Sequence, residues 1–196
     1  MNVLLLGPQG SGKGTQAKRI AAEYGLPHVA TGDMFREAIA EGTELGLQVK
    51  PILERGDLVP DELTVALIRE RLDQEDADGG FVLDGFPRNL AQAEALDELL
   101  STIGKELDVV FEFQLSDEVA MERMEGRARD EGRSDDARPE VMRRRLEIYR
   151  RETEPLVEYF RTRHANVVGL HAERSIDEVF AEVQQTLEHV AARSGT

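Results

Sequence analysis

The sequence predicts a three-layer α/β/α domain built on a five-stranded, mostly parallel sheet of the doubly wound kind. Three observations carry that expectation. Short apolar, β-branched runs recur along the 196 residues, at Val3 to Leu6, His28 to Ala30, Phe81 to Leu83, Val109 to Phe113 and Val167 to Leu170. Longer amphipathic stretches separate them, so each strand is followed by a helical crossover, the connection that parallel neighbours require. The runs are apolar throughout rather than alternating, as expected of strands covered on both faces. A chain of this length fits one domain with small inserted lobes and is long enough to bury a substantial core.

The first run, Met1-Asn2-Val3-Leu4-Leu5-Leu6, has no basic segment before it and no small-residue cleavage site after it. It reads as a strand rather than a secretory leader. It leads directly into Gly7-Pro8-Gln9-Gly10-Ser11-Gly12-Lys13-Gly14-Thr15, with a helix expected to begin near Thr15. In that setting glycines let backbone N–H groups converge on phosphate oxygens. The helix N-terminus adds partial positive charge, and Lys13 reaches the terminal phosphates. Gly14 follows the lysine, so the hydroxyl that usually comes next arrives one residue later, at Thr15. This leaves open whether Thr15 meets a magnesium ion or only a phosphate.

After the second run, residues 31 to 60 hold two short helical patterns split by Gly42 and closed by Arg55-Gly56-Asp57-Leu58-Val59-Pro60, which reads as an inserted helical lobe. The third run ends in Asp84, where a carboxylate beside the phosphates can reach magnesium through water. Residues 126 to 139 are dense in charge and nearly devoid of apolar side chains, which predicts a mobile loop. It has no cysteines or histidines at metal-ligand spacing, so no structural zinc is expected. Residues 194 to 196 have linker-like composition, and the chain shows no internal repeat.

Composition narrows the function. With 39 acidic against 24 basic residues the net charge is −15, which repels a phosphate backbone and argues against nucleic acid as partner. No stretch approaches the roughly 20 apolar residues needed to cross a bilayer. Cysteine is absent, which fits a reducing compartment and a cytoplasmic location. Only four lysines stand against 20 arginines. Arginine forks bind phosphate oxygens in pairs and keep their charge at any working pH.

The glycine loop resembles the G-x-x-G-x-G-K-G-T variant of nucleoside monophosphate kinases. Thr31-Gly32-Asp33, Arg36, Gly56-Asp57-Leu58-Val59-Pro60, Asp84-Gly85-Phe86-Pro87-Arg88 and Gly132-Arg133-Ser134-Asp135-Asp136 then follow in the order found in adenylate kinases. The resemblance spans nearly the whole chain. It implies a core over residues 1–29, 60–125 and 140–196, a monophosphate-binding lobe over 30–59 and a short lid over 126–139. The activity implied is ATP + AMP ⇌ 2 ADP with Mg²⁺, in a cytoplasmic monomer.

By that resemblance ATP is held by Gly10, Ser11, Gly12, Lys13, Gly14, Thr15, Arg127 and Arg174, the last standing where the family commonly has a glycine near the donor base, a place where a contact through the backbone carbonyl tolerates the change. AMP is held by Thr31, Arg36, Asp57, Leu58, Val59, Gly85, Phe86, Pro87, Arg88, Gln92, Arg133 and Arg145. Catalysis falls to Lys13, Arg88, Arg127, Arg133 and Arg145, acting by charge and position. The AMP phosphate is already a nucleophile at neutral pH and needs no base. Arg129 competes with Arg127, which follows Gly126 as in the family. Arg144 competes with Arg145, which precedes Leu146 as in the family. Gln92 suits adenine because a side-chain amide both accepts from the exocyclic amine and donates to a ring nitrogen. His28 and His171 receive no role. Two other readings share these residues: a kinase for UMP, CMP or GMP, and a regulatory nucleotide-binding protein.

Overall fold

A computed structural model describes residues 1–131, 138–163 and 166–194. Five strands form one sheet: β1 (Asn2–Leu6), β2 (His28–Ala30), β3 (Phe81–Asp84), β4 (Val109–Gln114) and β5 (Val167–His171). Their order is β2-β3-β1-β4-β5 and every pairing is parallel. β1 is therefore central, and the chain leaves it first toward one edge and later toward the other. The carboxyl end of such a central strand opens a crevice between flanking crossovers.

Side chains along β1 alternate between two apolar layers, as the period of two in a strand demands. Leu4 and Leu6 join Ile68, Leu96 and Phe160 on one face, whereas Val3 and Leu5 join Ile20, Phe111 and Val183 on the other. The first layer is closed by α4 (Asp61–Leu72), α5 (Leu90–Thr102) and α8 (Leu156–Arg163). The second is closed by α1 (Lys13–Tyr24) and α9 (Ile176–Ser194). The edge strand β5 departs from the expectation of full burial. Only Leu170 is buried there, and Gly169 and His171 are exposed, because an edge strand has one neighbour and a smaller share of both layers.

The inserted lobe is helical as expected: α2 (Thr31–Glu41) and α3 (Glu44–Glu54) are divided at Gly42. Phe35, Val49 and Val59 give it a small core of its own. Thr43 caps α3, its hydroxyl accepting from the Gly46 N–H at 3.1 Å. At Gly46 the two helices meet so closely that a Cβ would lie 2.0 Å from the Ala38 carbonyl oxygen.

The expectation of an irregular loop from Gly126 is corrected for residues 126–131, while residues 132–137 lie outside the described residues. Helix α6 (Asp117–Glu131) runs on through Gly126, and α7 (Pro139–Ile148) begins where the loop was to end. Charge density there marks a solvated helix, since Arg, Ala and Glu are good helix formers and Gly126 costs only about 1 kcal/mol relative to alanine. A π-helical turn, Tyr149–Thr153, follows α7.

Candidate active site

A cleft of about 280 Å³ opens at the carboxyl ends of β1 and β3. One wall is the glycine loop, with Gly10, Ser11, Gly12, Lys13, Gly14 and Thr15 all lining it. Gly10 has φ +81°, and a Cβ there would lie 2.6 Å from the Ala120 carbonyl oxygen of α6. Only glycine meets both demands. Gly12 caps α1, which starts at Lys13, two residues earlier than the sequence suggested. The first N–H groups of α1 thus remain unsatisfied within the helix and available to an anion.

Lys13 folds back over its own loop. Its Nζ donates to the carbonyl oxygens of Gly7 at 2.6 Å and Pro8 at 2.8 Å, and to Ser11 Oγ at 3.3 Å. Burial lowers its pKa to about 8, with Arg88 and Arg127 adding to the fall and Asp84 opposing it. Asp84 comes to the cleft because β3 pairs with β1 in the register Leu5 to Asp84. A Cβ on Gly14 would stand 3.5 Å from Asp84 Oδ2. Burial alone would raise this carboxyl. The His28 ring, Lys13 and Arg88 outweigh that and hold it below the usual carboxylate range. His28, given no role from sequence, has its buried Nε2 at 3.6 Å from Asp84 Oδ2. The signal was its position at the start of β2, one strand from Asp84.

The facing wall joins segments far apart in sequence. Thr31, Arg36, Asp57, Leu58, Val59, Gly85, Pro87, Arg88, Gln92 and Arg145 line it, and Arg127 enters from α6. Thr31 Oγ1 donates to the Gly85 carbonyl at 2.9 Å, and Arg88 Nε donates to the same oxygen at 2.8 Å. Thr153, in the π-helical turn, anchors the Arg88 carbonyl at 2.6 Å through its hydroxyl. Arg36 pairs with Asp33 one helical turn earlier. Gln92 is 1% exposed, so it is no surface glutamine.

Helix phase separates the two pairs that the sequence left open. Arg127 and Arg145 line the cleft, whereas Arg129 is exposed and does not line it, and Arg144 is not a lining residue but bonds the cleft residue Asp57 at 2.6 Å. The Arg144 hydrogen bond is the chief reason the Asp57 carboxyl sits below its usual range.

Two expected residues fall elsewhere. Phe86 is 1% exposed and belongs to the core beneath α5, because the strand exit turns its ring inward. Arg174 does not line the cleft; it pairs with Glu182 of α9 and donates to the His171 carbonyl. Arg133 lies outside the described residues, as do Asp135 and Asp136. Cleft residues that sequence reasoning missed include Lys18, Thr64, Tyr149 and Thr153. For Lys18 the signal was its place on α1 one turn beyond Gly14.

The cleft gathers Lys13, Lys18, Arg36, Arg88, Arg127 and Arg145 against Asp33, Asp57 and Asp84, in a chain of net charge −15. Such a concentration of fixed positive charge is suited to several phosphates held together. Among the described residues no group of three or more His, Cys, Asp or Glu is arranged to hold a metal ion, and no helix is long and apolar enough to cross a membrane.

Comparison with known proteins agrees with this chemistry. The family model for adenylate kinase matches residues 5–165. An adenylate kinase of Mycolicibacterium smegmatis is 48% identical over 189 residues, covering 95% of this chain and 99% of the relative. One from Xanthomonas campestris is 46% identical over 187 residues, with the same coverage. One from Thermobifida fusca is 52% identical over 163 residues, covering 83% of this chain and 86% of its own. With a phosphate loop, a facing arginine wall and relatives matched over most of their length, the chain belongs to the adenylate kinase family of nucleoside monophosphate phosphotransferases.

Proposed function

We propose that the two walls of this cleft divide the reaction ATP + AMP ⇌ 2 ADP between them, the glycine loop holding ATP and the arginine wall holding AMP. The observation that carries this division is the meeting of Lys13 with Arg36, Arg88 and Arg145 in one cleft of an acidic protein. On the donor side the backbone of Gly10 to Thr15 and the N-terminus of α1 cradle the β- and γ-phosphates. Lys13 exchanges its contacts with Gly7 and Pro8 for phosphate oxygens. On the acceptor side Arg36 and Arg88 fix the AMP phosphate, and the backbone from Asp57 to Val59 with Gln92 forms the base pocket. Thr31 and Arg88, both tied to the Gly85 carbonyl, keep that wall in register with the loop.

An AMP phosphate oxygen attacks the γ-phosphorus while the bond to the β,γ-bridging oxygen breaks, and the electron pair leaves on ADP. The charge that spreads over the transferring group is met by Lys13, Arg88, Arg127 and Arg145. Residues 30–59 act as the monophosphate lobe and 126–139 as a short lid, with Arg133 contributing from the lid. Magnesium accompanies ATP in this family, and the buried, ionised Asp84 beside Gly14 suits a water-mediated hold on it. Bound there, the ion would neutralise charge on the β- and γ-phosphates. Arg174, whose guanidinium is held by Glu182 and the His171 carbonyl, is left only its backbone carbonyl to offer the donor base.

The same reading takes the chain as a cytoplasmic monomer. Among the described residues the exposed large apolar side chains are Leu47 in α3, Leu90 and Ile103 at opposite ends of α5, and Ile176 at the start of α9, with no two of them one helical turn apart. Sedimentation velocity checks this. The test of function is ADP formation from ATP and Mg²⁺ with AMP, UMP, CMP and GMP in turn. AMP should be used at least about a hundredfold better than the others. Equal use of UMP would overturn the acceptor assignment.

A further inference from the structure

The amide of Gln92, a cleft-lining residue, is gripped at both ends. Its Oε1 accepts the Arg88 backbone N–H at 2.8 Å, and its Nε2 donates to Asp61 Oδ1 at 2.7 Å. The same Asp61 oxygen accepts from Asn89 Nδ2 at 2.8 Å, and Asn89 Oδ1 accepts the Gln92 backbone N–H at 2.9 Å. Gln92, Asn89 and Asp61 thus form a closed set at the starts of α4 and α5. Asp61 itself does not line the cleft.

We propose that Asp61 is a specificity-determining positioning residue, which fixes the polarity of the Gln92 amide and so decides which purine the acceptor site takes. The inference rests on the reading above, in which Gln92 faces the acceptor base. An amide has one further lone pair and one further N–H to offer. In the orientation seen, the oxygen can accept from an exocyclic amine while the nitrogen donates to an unprotonated ring nitrogen, the pattern of adenine. Rotated by half a turn, the same amide would match a carbonyl next to a ring N–H, the pattern of guanine and hypoxanthine. An unrestrained glutamine can present either face.

Here the rotation is blocked at two points. It would turn the Gln92 nitrogen onto the Arg88 N–H, donor against donor, and its oxygen onto the Asp61 carboxylate, acceptor against acceptor. At a residue 1% exposed, each unmatched group would carry the desolvation penalty of a buried polar atom left without a partner. The Arg88 arm is backbone and common to any side chain at that position. The Asp61 arm is the one a substitution can remove. Asp61 therefore acts through Gln92 and not on the nucleotide.

The test compares kcat/KM for AMP and for IMP in the unaltered enzyme, Asp61→Ala, Asp61→Asn and Gln92→Ala, with thermal melts on each. Asp61→Ala should lower the AMP-to-IMP ratio about tenfold, the AMP KM rising and the IMP KM falling with kcat for AMP little changed. Asp61→Asn should keep most of the ratio, because its carbonyl oxygen still accepts from Nε2. If Asp61→Ala does not fold, Asp61→Ser replaces it, being too short to reach the amide. A ratio unchanged in the alanine or serine variant, while Gln92→Ala collapses it, would overturn the clamp and leave the base reading intact. A ratio unchanged in Gln92→Ala would show that Gln92 does not read the base, and the clamp falls with it. An asparagine variant as unselective as the alanine one also counts against the clamp.

Discussion

The two walls of the cleft are built by opposite means. The donor wall is nine contiguous residues, Gly7 to Thr15, running from the end of β1 into the first turn of α1, shaped by backbone, with glycines at 7 and 10 where a side chain would collide. The acceptor wall takes residues from α2, the end of the helical lobe, the β3 exit, α5 and α7, and offers the phosphate side chains rather than backbone. A backbone cradle tolerates almost any neighbouring sequence but almost no change of conformation. A side-chain wall tolerates changes of neighbour but depends on each arginine arriving in phase. Substitutions in the two walls should therefore fail differently.

The largest effect should come from Lys13→Met, which withdraws the one side-chain cation of the donor wall that sits in the loop. We expect kcat to fall by about 10³-fold or more, measured in the direction of ADP formation. Arg145→Ala should lower kcat by about 10²-fold with KM for either nucleotide changed only a fewfold, as befits a group that meets charge developing between the walls. An equal loss in KM for AMP alone would move Arg145 wholly into the acceptor wall.

Two glycine substitutions sharpen the contrast. Gly10→Ala forces a side chain into φ +81° and against the Ala120 carbonyl, costing about 2–4 kcal/mol and lowering ATP turnover far more than AMP binding. Gly46→Ala pushes α3 away from α2 and costs about 1–3 kcal/mol in the lobe. It should raise KM for AMP several-fold and leave KM for ATP within about twofold. Thermal melts beside steady-state kinetics on both substrates check the pair.

The smallest effect is in pH. Lys13 loses its proton near pH 8 in the folded enzyme, against an ordinary value of 10.5. Between those values the unfolded chain binds the extra proton, so the Lys13 contribution to stability rises with pH across that window. Phosphate binding has the opposite sign, because it needs the ammonium. kcat/KM for ATP should therefore fall as pH climbs through about 8. With ATP bound the phosphates hold the proton on, and kcat should stay flat to higher pH. A kcat that falls through pH 8 together with kcat/KM would contradict this.

The same contrast explains what the sequence could disclose. The donor wall was legible because strand, loop and helix are consecutive, and the five strands because parallel, buried strands are apolar throughout. Arg127 and Arg145 were legible in principle. Ala120, Met124 and Arg127 lie on one stripe of α6, and Val141, Met142 and Arg145 on one stripe of α7, the spacing of a helix face. Reading residues 126 to 139 as a loop hid the first of these phases. The hold of Thr153 on Arg88 spans 65 residues, and that of Asp61 on Gln92 spans 31, and no local pattern announces either. The side chains of Phe86 and Arg174 turn away from the cleft for a related reason: chain position fixed where they sit but not which way they point.

The division of labour between the walls is tested most directly by calorimetric titration of ATP and of AMP, each alone, into Lys13→Met and Arg88→Ala. The account predicts a crossover. Lys13→Met should lose ATP affinity by at least about tenfold and keep AMP affinity within about twofold, and Arg88→Ala should do the reverse. Equal loss of both nucleotides in either variant, with the fold intact by thermal melt, would contradict two separate phosphate sites.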